Sequence, residues 1–154
     1  MKLATILPPD AVLAGLPARD KKQALKMLSA YAAQFCNISE KDIYSTLLER
    51  EYAGCTGMGG GVCIPHGRFE GLKGLHAIFA KLDERIEFGA ADGKPVDLVF
   101  LLLTPMEANN EHIKALATMS RLLRNKILCE AIRQSSDATE IRSLLLTKTE
   151  EEPA

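Results

Sequence analysis

The sequence predicts a layered α/β domain built on a mixed sheet with helices on both faces, and three observations carry that prediction. Leu75 to Leu82 and Val96 to Leu103 are apolar nearly throughout, the pattern of strands covered on both sides. Helical apolar spacing, each time preceded by a capping residue, recurs before and after this pair. Between the two strands, Ile86-Glu87-Phe88 and the Asp92-Gly93 pair predict a short strand and a tight turn, so at least one antiparallel pairing joins the sheet. With 154 residues, 47% of them hydrophobic and 25% charged, the chain has room for one real core and would be cramped as two domains.

Taken in order, Val12 to Leu16 is a short apolar segment between Pro9 and Pro17 and suits a brief strand. Asp20 with Gln23 three residues on caps a helix bearing Ala24, Leu25, Leu28, Ala32 and Phe35, through about Cys36. Ser39 repeats the cap, followed by Asp42 and by Ile43, Tyr44, Leu47 and Leu48, in a second helix ending near Glu51. From Gly54 to Gly61 the periodicity stops. Five glycines there allow tight turns and close backbone approach, and the strand Val62-Cys63-Ile64 runs from them into Pro65-His66-Gly67.

After Pro105, Asn109 or Asn110 can cap a largely buried helix with Ile113, Leu116, Ala117, Ser120 and Leu123 on one face, widened by Ala115, Met119 and Leu122. Ile127 to Ile132 forms a short further helix. Asp137 and Glu140 open a last one carrying Ile141, Leu144 and Leu145, before a charged tail, flexible from about residue 148. No internal repeat and no linker interrupts the single domain spanning 1–154.

Whole-molecule properties exclude several functions. A formal net charge of −1 gives no general attraction to nucleic acid or acidic membranes. No apolar run reaches the roughly 20 residues of a membrane-spanning helix, and the N-terminal segment is broken too soon by Pro8-Pro9 for a signal peptide, so the expected location is the cytoplasm. Cys36, Cys55, Cys63 and Cys129 form no C-x-x-C unit and read as reduced, space-filling thiols.

The three histidines carry the chemistry. His66 follows a strand, sits between a proline and a glycine, and has the glycine-rich turn just upstream, which is how a strand end aims a side chain into a cleft. A histidine destined for phosphorylation must present one neutral ring nitrogen while a hydrogen bond to the other fixes the tautomer. The phosphoryl group needs preorganised donors, for which Arg50, Thr56, Gly57 and Arg68 are candidates. Spacing alone leaves open that Ile64-Pro65-His66-Gly67 is a turn with a surface histidine. His112, near a helix start, could donate to an anion or be satisfied structurally; His76 reads as structural.

The competing sites are weaker. No Gly-Lys-Ser/Thr closes a P-loop, and the glycine run lacks the last glycine of the dinucleotide pattern. Cys55 or Cys63 with His66 lacks a third orienting residue for an acyl-transfer pair. No H-x-H or H-x-x-x-H spacing suggests a metal, and Arg121, Arg124 and Lys126 read as a solvated helix end.

Five motifs break the tie. Glu49-Arg50-Glu51, Thr56-Gly57-Met58-Gly59, Ile64-Pro65-His66-Gly67-Arg68, Asp92 to Phe100 and His112 to Ala117 together resemble, in order and over nearly the whole chain, the enzyme IIA family of the bacterial phosphotransferase system. The similarity is to its fructose/mannitol branch, and within it to the stand-alone nitrogen-regulatory type. The resemblance implies a mixed five-stranded sheet, His66 as the phosphorylated residue, His112 as the second active-site histidine contacting the phosphoryl group, and Arg50 and Thr56 in the same cleft.

It further implies a phosphotransferase-type protein with a phosphohistidine intermediate, needing neither cofactor nor metal. Its donor would be an HPr-like phosphocarrier charged by an enzyme I from phosphoenolpyruvate. Its targets would be regulatory proteins such as a kinase or transporter, or, if the chain serves sugar transport, a sugar-specific IIB domain. Two positions depart from the family pattern: Cys55, where serine or another small residue is expected, and Gly60, where a side chain such as asparagine is common. Both bear on partner preference more than on the nucleophile.

Overall fold

The computed structural model describes residues 2–54, 56–107 and 110–151. Six helices, α1 (Leu3–Ile6), α2 (Lys21–Ala32), α3 (Glu40–Ala53), α4 (Glu111–Arg124), α5 (Lys126–Gln134) and α6 (Ala138–Glu151), flank one mixed sheet. Its strands are β1 (Val12–Leu16), β2 (Gly57–Gly59), β3 (Val62–Cys63), β4 (His66–Phe69), β5 (His76–Ile86) and β6 (Val96–Pro105). They lie in the order β1-β5-β6-β3-β2, with β4 also paired to β6.

β5 and β6 form the antiparallel centre, and β6 is buried from Val96 to Thr104. Phe79 and Phe100 meet across that pairing edge to face, 5.3 Å between ring centroids, the arrangement favoured by aromatic quadrupoles. The segment expected as a separate strand at Ile86 is instead the end of β5, which continues past a register shift after Lys81. A turn closed by Gly93 N–H to the Ala90 carbonyl, at 2.9 Å, sends the chain back into β6.

Among the described residues the sheet has six strands where five were expected, and proline explains the difference. β3 and β4 follow one another along the same edge of β6 in unbroken register, Val62 and Cys63 opposite Leu98 and Val99, then His66 opposite Leu102. They are one row interrupted at Ile64-Pro65. Pro65 has no N–H to give, while its carbonyl still accepts from Leu102 N at 3.0 Å.

Local signals set most helix starts. The Asp20 carboxylate accepts from Gln23 N–H at 2.8 Å, and the Gln23 side chain accepts from Arg19 N–H at 2.7 Å. Ser39 caps α3 through Asp42 N–H at 3.2 Å. α2 ends at Ala32, short of Cys36, where the chain leaves the helix through residues 33–38 and α3 then packs against α2. α3 runs to Ala53, two residues past the expected end.

α4 presents another face than the one read from the sequence. Ala115, Thr118, Met119, Leu122 and Leu123 are buried, a clean helical stripe, whereas Ile113 is 58% exposed and Ala117 is also exposed. The threonine within the stripe hid it from a count of apolar residues. Asn110 occupies the N-cap without a side-chain bond, and Asn109 lies outside the described residues.

At the ends of the chain, α1 buries Leu3 and Ile6, and Arg142 of α6 holds the following turn through the Leu7 carbonyl at 2.8 Å. α6 continues as helix through Lys148 to Glu151. Buried apolar residues from every layer form one hydrophobic cluster.

The glycine run is a β2–β3 hairpin whose turn is held from outside. Arg133 of α5 grips Asp97 with two nitrogens, Nε to Oδ2 and Nη2 to Oδ1, both at 2.9 Å, and its Nη2 also donates to the Gly60 carbonyl at 2.8 Å. Burial works against the guanidinium charge, but the hydrogen bonds and charge of Asp97 outweigh it and the Arg133 pKa is raised. Gly61, at φ +81°, passes beneath this clamp, and a Cβ there would lie 2.7 Å from Arg133 Nη2. Gly61→Ala is therefore expected to cost about 2 kcal/mol or more. At this chain length that lowers Tm by about 4–8 °C, read by thermal circular dichroism; an unchanged Tm would refute the clamp argument.

Candidate functional site

The interruption at Ile64-Pro65 creates the site. His66 starts β4 just past it, and His66 Nδ1 lies 2.7 Å from the Ile64 carbonyl oxygen. A carbonyl can only accept, so Nδ1 carries the proton and donates, which leaves the lone pair on Nε2. Gly67 lets α3 come close, since a Cβ there would lie 3.1 Å from Thr46 Cγ2 and 3.2 Å from the Phe69 ring.

A cleft of about 610 Å³ opens beside the half-buried imidazole. α3 contributes Thr46, Glu49, Arg50 and Ala53; β4 contributes His66, Gly67 and Arg68; β6 contributes Leu102 and Thr104; α4 contributes His112, Ile113 and Leu116. Desolvation by burial lowers the His66 pKa, the Ile64 hydrogen bond opposes this, and the Arg50 charge lowers it further. The balance falls below the ordinary histidine value, so the ring is neutral at pH 7.

Two guanidinium groups face the same space. Arg50 Nη1 donates to the Gly54 carbonyl at 2.7 Å, which folds the residue over the end of its own helix. Arg68 Nη2 lies 2.7 Å from His112 Nε2. Each guanidinium keeps further N–H groups beyond the one so used. Neutral histidine, two fixed cations and apolar walls suit a group that arrives negatively charged and must be held without bulk water.

His66, His112, Arg50 and Arg68 are thus brought together as expected, but Thr56 and Gly57 are not among the cleft-lining residues. Thr56 is 8% exposed, and its hydroxyl donates to the buried carboxylate of Glu51, as does its N–H at 3.3 Å. Glu51 also pairs with Lys21 at 2.7 Å, and Lys21 donates to the Phe88 carbonyl at 3.0 Å. A threonine beside a buried carboxylate satisfies that group first, so its hydroxyl is turned away from the cleft. Gly57 lies in β2 opposite Cys63.

Gly60 stands at the hairpin tip, its N–H bonded to Asp92 at 2.9 Å and its carbonyl to Arg133. It borders a second hollow with Met58 and Cys129, so its departure from the family pattern removes no hydrogen bond from the His66 cleft. Cys55 lies outside the described residues. His76 Nε2 donates to the Lys73 carbonyl at 3.2 Å, away from the cleft-lining set. Among the described residues, no three His, Cys, Asp or Glu gather as a metal site, and no helix is long and apolar enough to cross a membrane.

Several cleft-lining residues were not singled out in the sequence. The sequence reading puts Ile113 and Leu116 on the buried face, though Leu116 one turn on from His112, with Ile113 beside it, was a usable signal. Thr46, Ala53 and Thr104 carry none.

A family model described as "Phosphoenolpyruvate-dependent sugar phosphotransferase system, EIIA 2" matches residues 5–148. The chain is 44% identical over 145 residues to the nitrogen regulatory protein of Bradyrhizobium diazoefficiens, covering 94% of this chain and 95% of that one. Its fold is similar to the crystal structure of nitrogen regulatory protein IIA-Ntr from Neisseria meningitidis, with a TM-score of 0.89 and 34% identity over 93% of this chain and 98% of that one. The crystal structure of IIA mannitol from Escherichia coli shares the fold at a TM-score of 0.76 and 22% identity, over 90% and 98% of the two chains.

Proposed function

We propose, from the premise that this chain belongs to the EIIA 2 family of the phosphoenolpyruvate-dependent sugar phosphotransferase system, that it is a phosphocarrier taking a phosphoryl group on His66 Nε2. The observation that carries the reading is the Nδ1–H to Ile64 carbonyl bond, which holds a neutral ring with its lone pair available beside two guanidinium groups. In transfer from an HPr-like phosphohistidine, that lone pair forms the new P–N bond in line as the donor P–N bond breaks. The departing electron pair returns to the donor imidazole, and no proton need move.

Charge on the equatorial oxygens is held by Arg50 and Arg68, with His112 contacting the phosphoryl region through the guanidinium it orients. Thr56 acts behind the nucleophile: Thr56 O accepts Ile64 N–H at 3.1 Å, and Ile64 O holds His66. We read the chain as one cytoplasmic domain of the regulatory, nitrogen-type branch, a reading supported by 44% identity to a nitrogen regulatory protein. A phosphoryl group adds about −1.5 to −2 charge at neutral pH, enough to change which surface docks at the cleft without refolding it.

Incubation with enzyme I, an HPr-like carrier and phosphoenolpyruvate should place acid-labile phosphate on His66, located by mass spectrometry. Quantitative onward transfer to a sugar-specific IIB would move the protein to the sugar-transport branch; phosphorylation-dependent capture of a kinase or transporter supports the regulatory one.

A pH dependence follows from the lowered His66 pKa. Only the unprotonated ring attacks, so acceptance is fully present above the pKa and falls as pH drops through it. That limb is expected on the acid side of the ordinary histidine value of about 6.5. Arg50→Met removes a charge that lowers the pKa and should move the limb upward. NMR titration of the His66 ring reads both; a titration midpoint above 6.5 in the native protein would contradict the assignment.

A further inference from the structure

Two imidazoles face the cleft, and the geometry treats them oppositely. On His66 the bonded nitrogen is Nδ1, donating to a carbonyl, so the lone pair on Nε2 stays available. On His112 the bonded nitrogen is Nε2, and its partner is a guanidinium. Arginine is protonated at every pH a protein survives and has only N–H donors, so His112 Nε2 must be the acceptor. Its lone pair is consumed by the 2.7 Å contact, and the ring proton sits on Nδ1. Nδ1 itself is buried and has no hydrogen-bond partner among the described residues, so no phosphorus atom reaches it.

We propose that Arg68 is the residue that selects the acceptor: by occupying the Nε2 lone pair of His112 it leaves His66 Nε2 as the one nucleophilic ring nitrogen in the cleft. The inference rests on the phosphocarrier reading above and deepens it. Arg68 acts here through His112, as a positioning residue, while its remaining N–H groups stay free for phosphoryl oxygens. A lysine could supply charge at this place, but its three N–H donors radiate from one nitrogen on a flexible stem and would fix His112 less firmly. The forked guanidinium can serve both at once.

Removing the guanidinium should uncover the second nucleophile. With Arg68 gone, His112 Nε2 regains its lone pair, and a donor P–N bond can break against it as it does against His66, with the same electron balance and no proton transfer. The experiment uses the full chain with enzyme I, an HPr-like carrier and phosphoenolpyruvate, and follows acid-labile phosphate by mass spectrometry. His66→Ala should stay at background, whereas His66→Ala with Arg68→Met should label on His112 at least tenfold above it.

A silent double variant would overturn the acceptor-selection proposal while leaving His66 as the carrier. Labelling of the single His66→Ala variant at the native rate would instead sink the phosphocarrier assignment itself, so the two failures are distinct. A second readout needs no turnover. Ring ¹⁵N shifts should show His112 in the native chain with its proton on Nδ1 and an unprotonated, hydrogen-bonded Nε2, and in Arg68→Met an Nε2 resonance moved toward that of a free lone pair. A native His112 protonated on Nε2 would refute the proposal, whatever the labelling shows.

Discussion

His66→Gln is expected to reduce phosphoryl incorporation from a phosphohistidine donor to background, a loss on the order of 10³-fold or more. Glutamine fills much of the same volume, and its amide can still donate to the Ile64 carbonyl, but it offers no nucleophilic nitrogen. His112 cannot substitute while Arg68 occupies its Nε2. Stability should barely change. His66 is half-buried and makes one side-chain hydrogen bond, worth about 1 kcal/mol at most, or about 2–4 °C in Tm. Rapid-quench labelling beside thermal unfolding separates the two quantities. A variant that unfolded and lost labelling together would mean that the imidazole is structural, and a variant that labelled normally would mean that the nucleophile lies elsewhere.

The parts of the fold that local physics dictates were legible in the sequence. Asp20 and Ser39 cap the helices predicted for them because a side-chain acceptor three residues before an orphan N–H needs no tertiary context. The doubly covered strands showed themselves as apolar runs for the same reason. What failed depended on partners. The α4 stripe includes Thr118, which is apolar enough to bury through its methyl but is not counted so, while Ile113 faces the cleft. β3 and β4 look like a strand and a turn in sequence, and only β6 alongside shows them to be one interrupted row.

The site divides in the same way. His66 stood out because Pro65 and Gly67 mark a backbone break; Arg50 and Arg68 were candidate donors by their chemistry and His112 by its place at a helix start, and the family resemblance put Arg50 and His112 in the same cleft. Thr56 was placed in the cleft wrongly because nothing in the sequence says that Glu51 is buried, and a buried carboxylate commandeers the nearest hydroxyl and amide. Arg68 was read as a charge for phosphate; its hold on His112 links residues far apart in sequence and became visible only in the fold.

Glu51 is also where a large stability effect and an effect on chemistry should coincide. Its carboxylate is 7% exposed at the residue level and takes the Lys21 ammonium on one side and the Thr56 hydroxyl and amide on the other. Removing one partner of a buried ion pair typically costs about 3–5 kcal/mol, because the other is left unpaired. The Lys21 side chain is 25% exposed and can recover some water, which puts Glu51→Ala near the lower end, about 3 kcal/mol, or about 6–12 °C in Tm. Glu51→Gln keeps an acceptor for the Thr56 hydroxyl and should lose less. Adding Lys21→Met to Glu51→Ala should restore part of the loss by removing the stranded cation, which a double-mutant cycle measures.

The chemical consequence runs along a short hydrogen-bonded path. Glu51 fixes Thr56, the Thr56 carbonyl accepts Ile64 N–H at 3.1 Å, and the Ile64 carbonyl fixes the His66 tautomer at 2.7 Å. Loosening the first link should let the imidazole turn and share its proton between both nitrogens, slowing acceptance per folded molecule by about tenfold. Lys21→Met with Glu51→Ala should then recover stability without recovering rate, because the Thr56 anchor is still missing. Recovery of both together would show that the carboxylate serves the fold alone and that the path from Glu51 to the ring carries nothing.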